Sequence, residues 1–431
     1  MTNNERIQRR IERDKARRRK KRAAFMEQYD SYTGTFDHEN MWTSGHKCCN
    51  GVRWKASIQR WESLLLTNVS DDYDSVISGR FLKKSGKFYC FDLYERGHLR
   101  HIRSVKVEER CVQKCLCDFS LVPALTHGFI YDNGATMKNK GTSFSEKRLT
   151  KHLREYARTY GVDNVLERGY VVLFDFHHYF DNADHAVLFA AVERIYHDAH
   201  MVEIIEKFIS DFGEKGLGLG SQVSQVLALA LADPLDHAIK DRLRMKWYGR
   251  YNDDGYVLCR DKAEAVMVMA AIRELAARLN IIVNEKKTHI VKFSRGFQYL
   301  KIRYHMTETG RIVRHINHDG IKRQRGRLRT FRKKLNSGTI DLEHVEMSLQ
   351  AYLSQCDRAN TWHTKQNMIR RFHRMFPESR AFYPPPKFGP EDYARAAIFV
   401  EHWWKEHENK GWWSRARMVR AYKNLKEVNA I

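Results

Sequence analysis

The stretch Tyr251-Asn252-Asp253-Asp254-Gly255 decides the fold, together with Tyr170-Val171-Val172-Leu173-Phe174-Asp175 earlier in the chain. The first places an acidic pair and a glycine inside a tight hairpin, predicted over residues 250–260. The second is an apolar run, rich in β-branched residues, that is typical of a buried strand ending at an acid. Apolar periodicity predicts helices around these strands, over 145–159, 184–209, 221–245 and 263–279.

Asp175, Asp253 and Asp254 are the residues from which a chemistry can be inferred. Carboxylates at the ends of neighbouring strands can hold two Mg²⁺ ions about 3.5–4 Å apart. One ion would lower the pKa of an attacking hydroxyl, and the other would neutralise charge on a leaving phosphate. An Asp-Asp pair by itself is more often a solvated turn, so this interpretation depends on the order of the surrounding motifs.

Five motifs in order resemble those of reverse transcriptases, and the resemblance covers roughly residues 85–375. Any one of these motifs is weak evidence alone, but the complete order is specific. The resemblance implies an α+β right-hand polymerase with fingers, palm and thumb. The motifs are Phe174-Asp175-Phe176-His177-His178-Tyr179-Phe180, the stretch from Gly216 to Gln225, Tyr251-Asn252-Asp253-Asp254, Asn284-Glu285-Lys286-Lys287-Thr288 and Phe297-Gln298-Tyr299-Leu300-Lys301.

The resemblance also implies roles for individual residues. Asp175, Asp253 and Asp254 would be catalytic and, with Phe176, would form the site of two Mg²⁺ ions, for which Mn²⁺ can substitute. Lys287 would be the general acid that protonates the departing pyrophosphate. The residues expected to bind the nucleotide are Arg96, Arg100, Phe180, Gly220, Ser221 and Gln225.

The two fingers arginines follow from the shape of their side chains as well as from the resemblance. A forked guanidinium suits phosphate oxygens, so Arg100, with Arg96 as a second candidate, would hold the triphosphate. Arg110-Cys111-Val112-Gln113 resembles the next fingers motif. In a chain this basic, a general contact to a nucleic-acid backbone is the alternative role of each arginine, and it is the commoner one.

Phe180 indicates which sugar the site would accept. It lies five residues after Asp175, at the position of the family's sugar gate. An aromatic ring there would clash with a ribose 2′-hydroxyl, so we expect dNTPs to be favoured over rNTPs. RNA-directed RNA polymerases tend to carry a second Asp at this position, and Phe180 therefore disfavours that rival. Core packing is the alternative use of the ring, and both uses can hold.

The second motif departs from the commonest pattern. Many reverse transcriptases carry Gln-Gly-x-x-x-Ser-Pro, whereas this chain has Leu219-Gly220-Ser221-Gln222-Val223-Ser224-Gln225. This version is similar to that of diversity-generating retroelement enzymes and of some defence-associated bacterial reverse transcriptases. Loss of the glutamine at position 219 removes a polar contact beside the nucleotide, which predicts unusual fidelity or base preference.

The net charge predicts an acidic partner. The 431 residues include 76 Lys+Arg and 52 Asp+Glu, which gives a formal charge of +24. Nucleic acid is the first candidate and an anionic membrane surface the second. Residues 5–22 form a basic arm that we interpret as RNA-binding, with a solvated tail as the alternative. The residues expected to bind nucleic acid are Arg17, Arg18, Arg19, Lys20, Lys21 and Arg22 in the arm, and Lys322, Arg323 and Arg327 in the thumb.

The chain is too long for one ordinary domain of about 100–200 residues. We expect a basic N-terminal helical arm and a helical C-terminal extension around the polymerase. The predicted divisions are 1–34 for the arm, 35–165 for an N-terminal extension and fingers, 166–305 for the palm, 306–376 for the helical thumb and 377–431 for the C-terminal extension.

The predicted enzyme is an RNA-directed DNA polymerase, a nucleotidyltransferase that uses an RNA template and dNTPs to make cDNA. Two biological roles fit: antiviral defence with a dedicated structured non-coding RNA, and template copying in a diversity-generating retroelement. The extensions at both ends favour defence. A non-catalytic RNA-binding scaffold is the rival from another class, and the intact acids argue against it. The sequence does not indicate the oligomeric state.

The remaining observations concern the compartment. No run approaches the roughly 20 apolar residues of a membrane span, and the charged N-terminus lacks a signal core. Eight scattered cysteines indicate a reducing compartment, so we expect a cytoplasmic protein of bacterial or phage origin. Cys111, Cys115 and Cys117 lie close together, but they lack zinc-knuckle spacing, and packed thiols are the preferred interpretation over a metal site.

Overall fold

The computed structural model describes residues 3–95 and 98–382, with Ile398, Phe399 and His402 beyond them. The chain divides into two compact units, Met1–Gly320 with Cys356–Thr361 and Ile321–Gln355 with Trp362–Ile431. Most of the predicted C-terminal extension, including its tryptophans, lies outside the described residues. No helix in the described part is both long enough and apolar enough to cross a membrane.

The first unit begins with helices. The predicted basic arm is one long helix, and Asp37 caps the third helix by accepting a hydrogen bond from the Asn40 backbone. The helices are α1 (Asn3–Glu27), α2 (Tyr32–Thr35), α3 (His38–Cys49), α4 (Ala56–Ser63), α5 (Leu65–Ile77) and α6 (Arg80–Lys84).

A two-stranded antiparallel ribbon follows, as the alternating sequence predicts. It pairs β1 (Phe88–Glu95) with β2 (His98–Val105), and Phe91 lies opposite Ile102. The next helices are α7 (Val107–Leu116), a π-helical turn at Cys117–Leu121, α8 (Val122–Thr126), α9 (Thr142–Tyr160) and α10 (Val162–Arg168). Cys111, Cys115 and Cys117 are fully buried thiols in the hydrophobic core of this region.

The palm is a four-stranded antiparallel sheet in the order β4–β5–β3–β6. Helix α15 is predicted correctly, but the single helix expected over 184–209 is wrong. The non-helical residues 194–198 separate α11 from α12, and Asp198 caps α12. The elements are β3 (Tyr170–Phe174), α11 (His185–Glu193), α12 (Ala199–Ser210), α13 (Gln222–Leu231), α14 (Asp233–His237), a π-helical turn at Ala238–Arg242, β4 (Tyr248–Tyr251), β5 (Asp254–Cys259), α15 (Lys262–Arg278) and β6 (His289–Lys292).

The two faces of this sheet pack against two different hydrophobic cores. Val172 and Phe174 point into a core with the N-terminal and palm helices, whereas Val171 and Leu173 point into a second core with α9. Alternate strand residues face opposite sides of a sheet, so the unbroken apolar run of β3 is the pattern of a strand buried on both faces. The predicted α+β class is confirmed.

A second small sheet follows the palm strands. It consists of β7 (Phe297–Tyr299), β8 (Ile302–Met306) and β9 (Ile312–Ile316), all antiparallel. Strand β9 falls in the range predicted for the thumb, yet it pairs with β8 inside the first unit. The helical region begins later, with α16 (His318–Asn336), α17 (Leu342–Cys356) and α18 (Trp362–Met375).

Candidate active site

Asp175 lies directly after β3 and is 4% exposed. The segment after α15 surrounds it: the Asn284 backbone N–H donates to its carbonyl at 2.8 Å, and the Asn284 amide donates to carboxylate Oδ1 at 2.8 Å. Lys287 Nζ donates to Oδ2 at 2.8 Å, and the Asp175 N–H donates to Thr288 Oγ1 at 3.2 Å. The fourth motif therefore fixes both the backbone and the carboxylate of the first acid.

Asp253 lies in the turn between β4 and β5, and Asp254 is the first residue of β5. We call residues 252–254 the acidic turn; it lies next to the end of β3. The Phe176 N–H donates to the Asp253 carbonyl at 3.2 Å, which ties the turn to the residue after Asp175. Gly255 is opposite Phe174 in the sheet, and a Cβ at position 255 would lie 2.1 Å from the Phe174 ring. The glycine of the hairpin is thus required by close packing and lets the acidic turn lie against β3.

The three acids are close enough to repel one another. Burial and then the charge of Asp175 raise the pKa of Asp253. Burial, followed by the charges of Asp253 and Asp175, raises the pKa of Asp254 to about 7. The hydrogen bond to Asp175 raises the pKa of Lys287, which keeps that side chain an ammonium. A cation at this point relieves the repulsion.

The donor chemistry suits Mg²⁺. Mg²⁺ prefers oxygen ligands and is commonly held by one or two carboxylates plus waters and substrate phosphates, without a complete protein cage. Among the described residues, no group of three or more His, Cys, Asp or Glu side chains is arranged as a metal site. Asp175, Asp253 and Asp254 would supply the carboxylate oxygens, and Phe176, whose ring is buried, could contribute only backbone.

The predicted sugar gate lies beside the second motif. The Phe180 carbonyl accepts a hydrogen bond from the Leu217 backbone at 2.7 Å, and the half-buried ring packs on the palm core. Gly216 has a φ of 90°, and a Cβ there would lie 2.7 Å from the Asp181 carbonyl. The glycine-rich loop can therefore approach the Phe180 segment as closely as it does only because position 216 lacks a side chain.

The second motif divides into buried and exposed residues. Ser221 is fully buried and caps α13 by accepting from the Ser224 N–H at 3.2 Å. Its hydroxyl also donates to Gln113 of the fingers motif at 2.9 Å, so it is used inside the protein. Gly220 and Gln225 are exposed. Nucleotide binding by these three residues stays a prediction, and for Ser221 it would not involve the hydroxyl in this conformation.

Several of the predicted binding residues lie on α1 or outside the described residues. Arg96 and the side chains of Arg100, Arg18, Arg19 and Arg22 lie outside the described residues. Arg17, Lys20 and Lys21 are exposed on α1. They belong to an exposed basic face, which spans about 120° of arc at 100° per residue. We call this face the arm stripe; its residues are Arg6, Arg9, Arg10, Arg13, Arg17, Lys20 and Lys21.

The predicted duplex-binding residues are on α16, in the second unit. Lys322, Arg323 and Arg327 are exposed, whereas Leu328 and Phe331 of the same helix are buried. This helix is amphipathic, as the sequence predicts, with the basic residues on its solvent-facing side.

The fifth motif, residues 297–301, forms β7 and a tight turn. Leu300 and Lys301 both have positive φ, at 46° and 69°. Arg358 of the Cys356–Thr361 loop donates to the Leu300 carbonyl at 3.4 Å and is ion-paired with buried Glu146. The turn is therefore held by a residue about sixty positions away, which the sequence does not indicate.

The sequence interpretation also missed the residues beneath the acidic turn. Arg250 and Asp236 are fully buried and form an ion pair, Nη2 to Oδ2, at 2.6 Å. Arg250 precedes the quoted Tyr-Asn-Asp-Asp stretch directly, and Asp236 follows α13 of the second motif. An arginine at an inward position of a short palm strand is the signal that could have found the pair, because such a residue needs a buried partner.

Comparison with known proteins gives one family match and similar solved structures. The protein-family description "Reverse transcriptase (RNA-dependent DNA polymerase)" matches residues 84–304. Among curated proteins, none matches this chain. A telomerase from Candida albicans in complex with a fragment of telomeric RNA is similar to it, with 14% identity and a TM-score of 0.42, over 78% of this chain and 61% of the other. An apo telomerase from Candida tropicalis, truncated from its C-terminal domain, has 10% identity and a TM-score of 0.40, over 54% and 55%.

The chain therefore spans less than two thirds of those telomerase chains. The family match covers the ribbon, the glycine-rich loop, the palm sheet and all three acids, ending at Tyr304 of β8. The matched domain is that of an RNA-directed DNA polymerase, a nucleotidyltransferase, which confirms the predicted enzyme class. The chain belongs to the reverse transcriptase family.

Proposed function

We propose that this protein adds deoxynucleotides to a 3′-hydroxyl on an RNA template, and that it acts with a structured non-coding RNA in the antiviral defence of a bacterial cytoplasm. One observation supports the activity above all others. Asp175, Asp253 and Asp254 converge beside Lys287 within the matched reverse transcriptase domain. A non-catalytic scaffold would have no use for three mutually repelling carboxylates in a protein of charge +24.

The residues around the three acids would have different roles in the reaction. Bound Mg²⁺ would acidify the attacking hydroxyl and neutralise charge on the leaving phosphate. Asn284 and Lys287 orient the Asp175 carboxylate by one hydrogen bond to each oxygen. Lys287 is 63% exposed, so its ammonium can reach a departing pyrophosphate and donate a proton to it. Phe180 would exclude the ribose 2′-hydroxyl.

Primer extension tests the activity. Asp253→Ala combined with Asp254→Ala should abolish Mg²⁺-dependent extension of a DNA primer on an RNA template, while leaving RNA binding nearly intact. Glu274→Ala is the matched control, because Glu274 is an exposed acid of α15 that pairs with Arg278 away from the turn. Extension by the double variant at the wild-type rate would refute the assignment of the acids.

The proposal of a dedicated RNA is supported by the arm stripe. Seven exposed basic side chains share one face of α1, and a phosphate backbone is the partner that such a face attracts over a distance. The arm lies outside residues 84–304, the part of the chain that matches the reverse transcriptase family.

A diversity-generating retroelement is the second candidate role. The stretch Leu219-Gly220-Ser221-Gln222-Val223-Ser224-Gln225 favours it as much as it favours defence. Sequencing the RNA and the cDNA that copurify with the protein distinguishes the two. A cDNA copied from a small structured RNA, repetitive or without a genomic match, would support defence. A cDNA that matches a repeat inside a neighbouring variable gene would support the retroelement.

A further inference from the structure

The acidic turn rests on a buried ion pair that the proposed chemistry does not use. Arg250 is the second-last residue of β4, and Asp236 lies in α14. Both side chains are fully buried. Arg250 Nε donates to Asp236 Oδ1 at 2.8 Å, and Nη2 donates to Oδ2 at 2.6 Å. This is a bidentate pair with parallel hydrogen bonds, the most directional arrangement that a guanidinium and a carboxylate can form.

The guanidinium has a third contact, to the turn itself. Arg250 Nη1 donates to the carbonyl of Asn252 at 2.8 Å. Asn252 has a φ of 51°, in the left-handed region that few residues other than glycine adopt, and asparagine is among those few. The next residue is Asp253, whose carbonyl accepts from the Phe176 N–H. Two consecutive carbonyls of the turn therefore accept hydrogen bonds from different partners. Arg250 donates to the Asn252 carbonyl, and the Phe176 N–H, just after β3, donates to the Asp253 carbonyl.

The same guanidinium also reaches the helix of the second motif. Arg250 Nη2 lies 3.3 Å from the Leu229 carbonyl in the last turn of α13, where helical carbonyls lack intrahelical partners. The Tyr179 hydroxyl donates to the neighbouring Ala228 carbonyl. One side chain therefore joins the acidic turn to α13, and Asp236 sets the plane in which that side chain lies.

We propose that Arg250 and Asp236 are positioning residues that hold the Asn252 carbonyl, and with it the left-handed turn, so that the carboxylates of Asp253 and Asp254 lie beside that of Asp175. This inference rests on the proposed polymerase function for its kinetic consequences, but the conformation of the turn does not depend on it. Lysine cannot replace Arg250, because a single ammonium cannot bond both carboxylate oxygens and the carbonyl in one plane.

The alternative is that the pair only stabilises the core. Replacing both members of a buried ion pair with apolar residues of similar volume is often neutral for stability, whereas removing one member is costly. A double substitution can therefore separate the two roles, since it removes the donor to Asn252 without leaving a buried charge unpaired.

The test compares the variants Arg250→Met with Asp236→Leu, Arg250→Lys, and Tyr248→Phe in the full-length protein. Each is measured for the thermal midpoint, for kcat and dNTP KM in primer extension, and for amide hydrogen exchange at residues 252–254 without metal. Tyr248→Phe is the matched control, because the Tyr248 hydroxyl bonds the same Asp236 carboxylate but does not contact the turn.

We expect the double variant to recover a thermal midpoint near that of the wild type. Its kcat should fall by about a hundredfold, as for other small misplacements of reacting groups. The dNTP KM should stay within about twofold, because the pair touches no substrate. Amide exchange in the turn should be faster than in the wild type. Arg250→Lys should show the same kinetic change, and Tyr248→Phe should retain wild-type kcat.

Recovery of kcat together with the thermal midpoint in the double variant would overturn the proposal and leave the pair a purely structural one. Unchanged amide exchange at residues 252–254 in that variant would overturn it as well. If the wild-type protein itself failed to extend any primer, the proposed function would fail, yet the exchange measurement would still decide whether Arg250 holds the turn.

Discussion

Charged residues are used in opposite ways in α1 and around the acidic turn. The arm stripe presents seven basic side chains to solvent along one face of a long helix. Around the turn, Arg250 and Asp236 are fully buried and Asp175 nearly so, and each is hydrogen-bonded to named partners. One region holds its charges in water, and the other holds them where a lost partner cannot be replaced by water.

Burial decides what a charge can do. An exposed arginine interacts over a Debye length of about 8 Å at physiological salt and adapts to any phosphate that comes near. A buried arginine keeps the same hydrogen-bond partners, because an unsatisfied buried charge is too costly to persist. It therefore fixes the positions of those partners relative to one another. The arm is therefore suited to affinity, and the palm is suited to precise placement.

The largest expected effect comes from breaking the buried pair on one side only. Asp236→Leu should lower the free energy of unfolding by about 3–5 kcal/mol, because it leaves the Arg250 guanidinium buried without a counter-charge. Chemical denaturation monitored by circular dichroism measures this change. Arg250→Met added to Asp236→Leu should recover most of the loss. A loss below about 1 kcal/mol for the single variant would mean that water reaches the guanidinium.

Removing the charges of the arm stripe should weaken RNA binding and leave the stability of the fold almost unchanged. Substitution of all seven residues by glutamine should weaken RNA binding by about a hundredfold at physiological salt, with a shallower dependence of affinity on salt. The free energy of unfolding should change by less than about 0.5 kcal/mol, as for other exposed positions. Filter binding over a salt series and denaturation measure the two effects. The comparison would fail if affinity and its salt dependence were unchanged.

A substitution of Phe180 tests whether an uncharged side chain near the acidic turn selects dNTPs over rNTPs by its bulk alone. Phe180→Ala should raise the efficiency of rNTP relative to dNTP incorporation by roughly ten- to a hundredfold, the range expected for removing one steric element. The ratio of kcat/KM values in single-nucleotide extension measures this. Phe189→Ala is the control, since Phe189 is a half-buried ring on the same core. Equal ratios in both variants would leave Phe180 as a packing residue only.

Asp72 is an intermediate case, a buried carboxylate in α5 that is poorly compensated. Within the described residues its Oδ2 has no hydrogen-bond partner, and burial, then Glu108 and Asp71, raise its pKa to about 8, against a small opposing effect of Lys84. The folded protein therefore binds an extra proton between about pH 4 and 8. Stability from this group is complete below about pH 4 and is lost as the pH rises towards 8.

Asp72→Asn should remove that dependence. The variant should be more stable than the wild type at pH 8, with the difference shrinking towards pH 4. Denaturant unfolding at several pH values measures the slope. Parallel pH profiles for the two proteins would show that Asp72 is ionised in the folded state.

Much of the palm could be predicted from the sequence because its signals are local. The unbroken apolar run of residues 170–174, with its β-branched residues, predicts a buried strand, and Asp253-Asp254-Gly255 predicts a hairpin. The five ordered motifs then identified the acids and Lys287. The break between α11 and α12 was missed because the apolar period continues across it, although Asp198 caps the second helix.

The contacts between distant segments could not be predicted. Arg250 bonds the Asn252 carbonyl of the turn and is ion-paired with Asp236 of α14. Arg358 bonds the Leu300 carbonyl and is ion-paired with Glu146 of α9. Nothing in the local spacing of these residues indicates the pairs, because the partners are brought together only when β4 and the Cys356–Thr361 loop pack on their neighbours.

The sequence by itself determined the class of fold, the order of the motifs, the three acids and the excess of positive charge. These depend on local periodicity and on residue type, which the chain carries before it folds. Only the tertiary structure decided which charges are buried and what each one contacts. Ser221, predicted to bind the nucleotide, is a buried helix cap whose hydroxyl bonds Gln113, whereas Arg250, which no motif indicates, is bonded to the acidic turn. The difference arises because desolvation, and the partner that must offset it, exist only after distant segments have packed together.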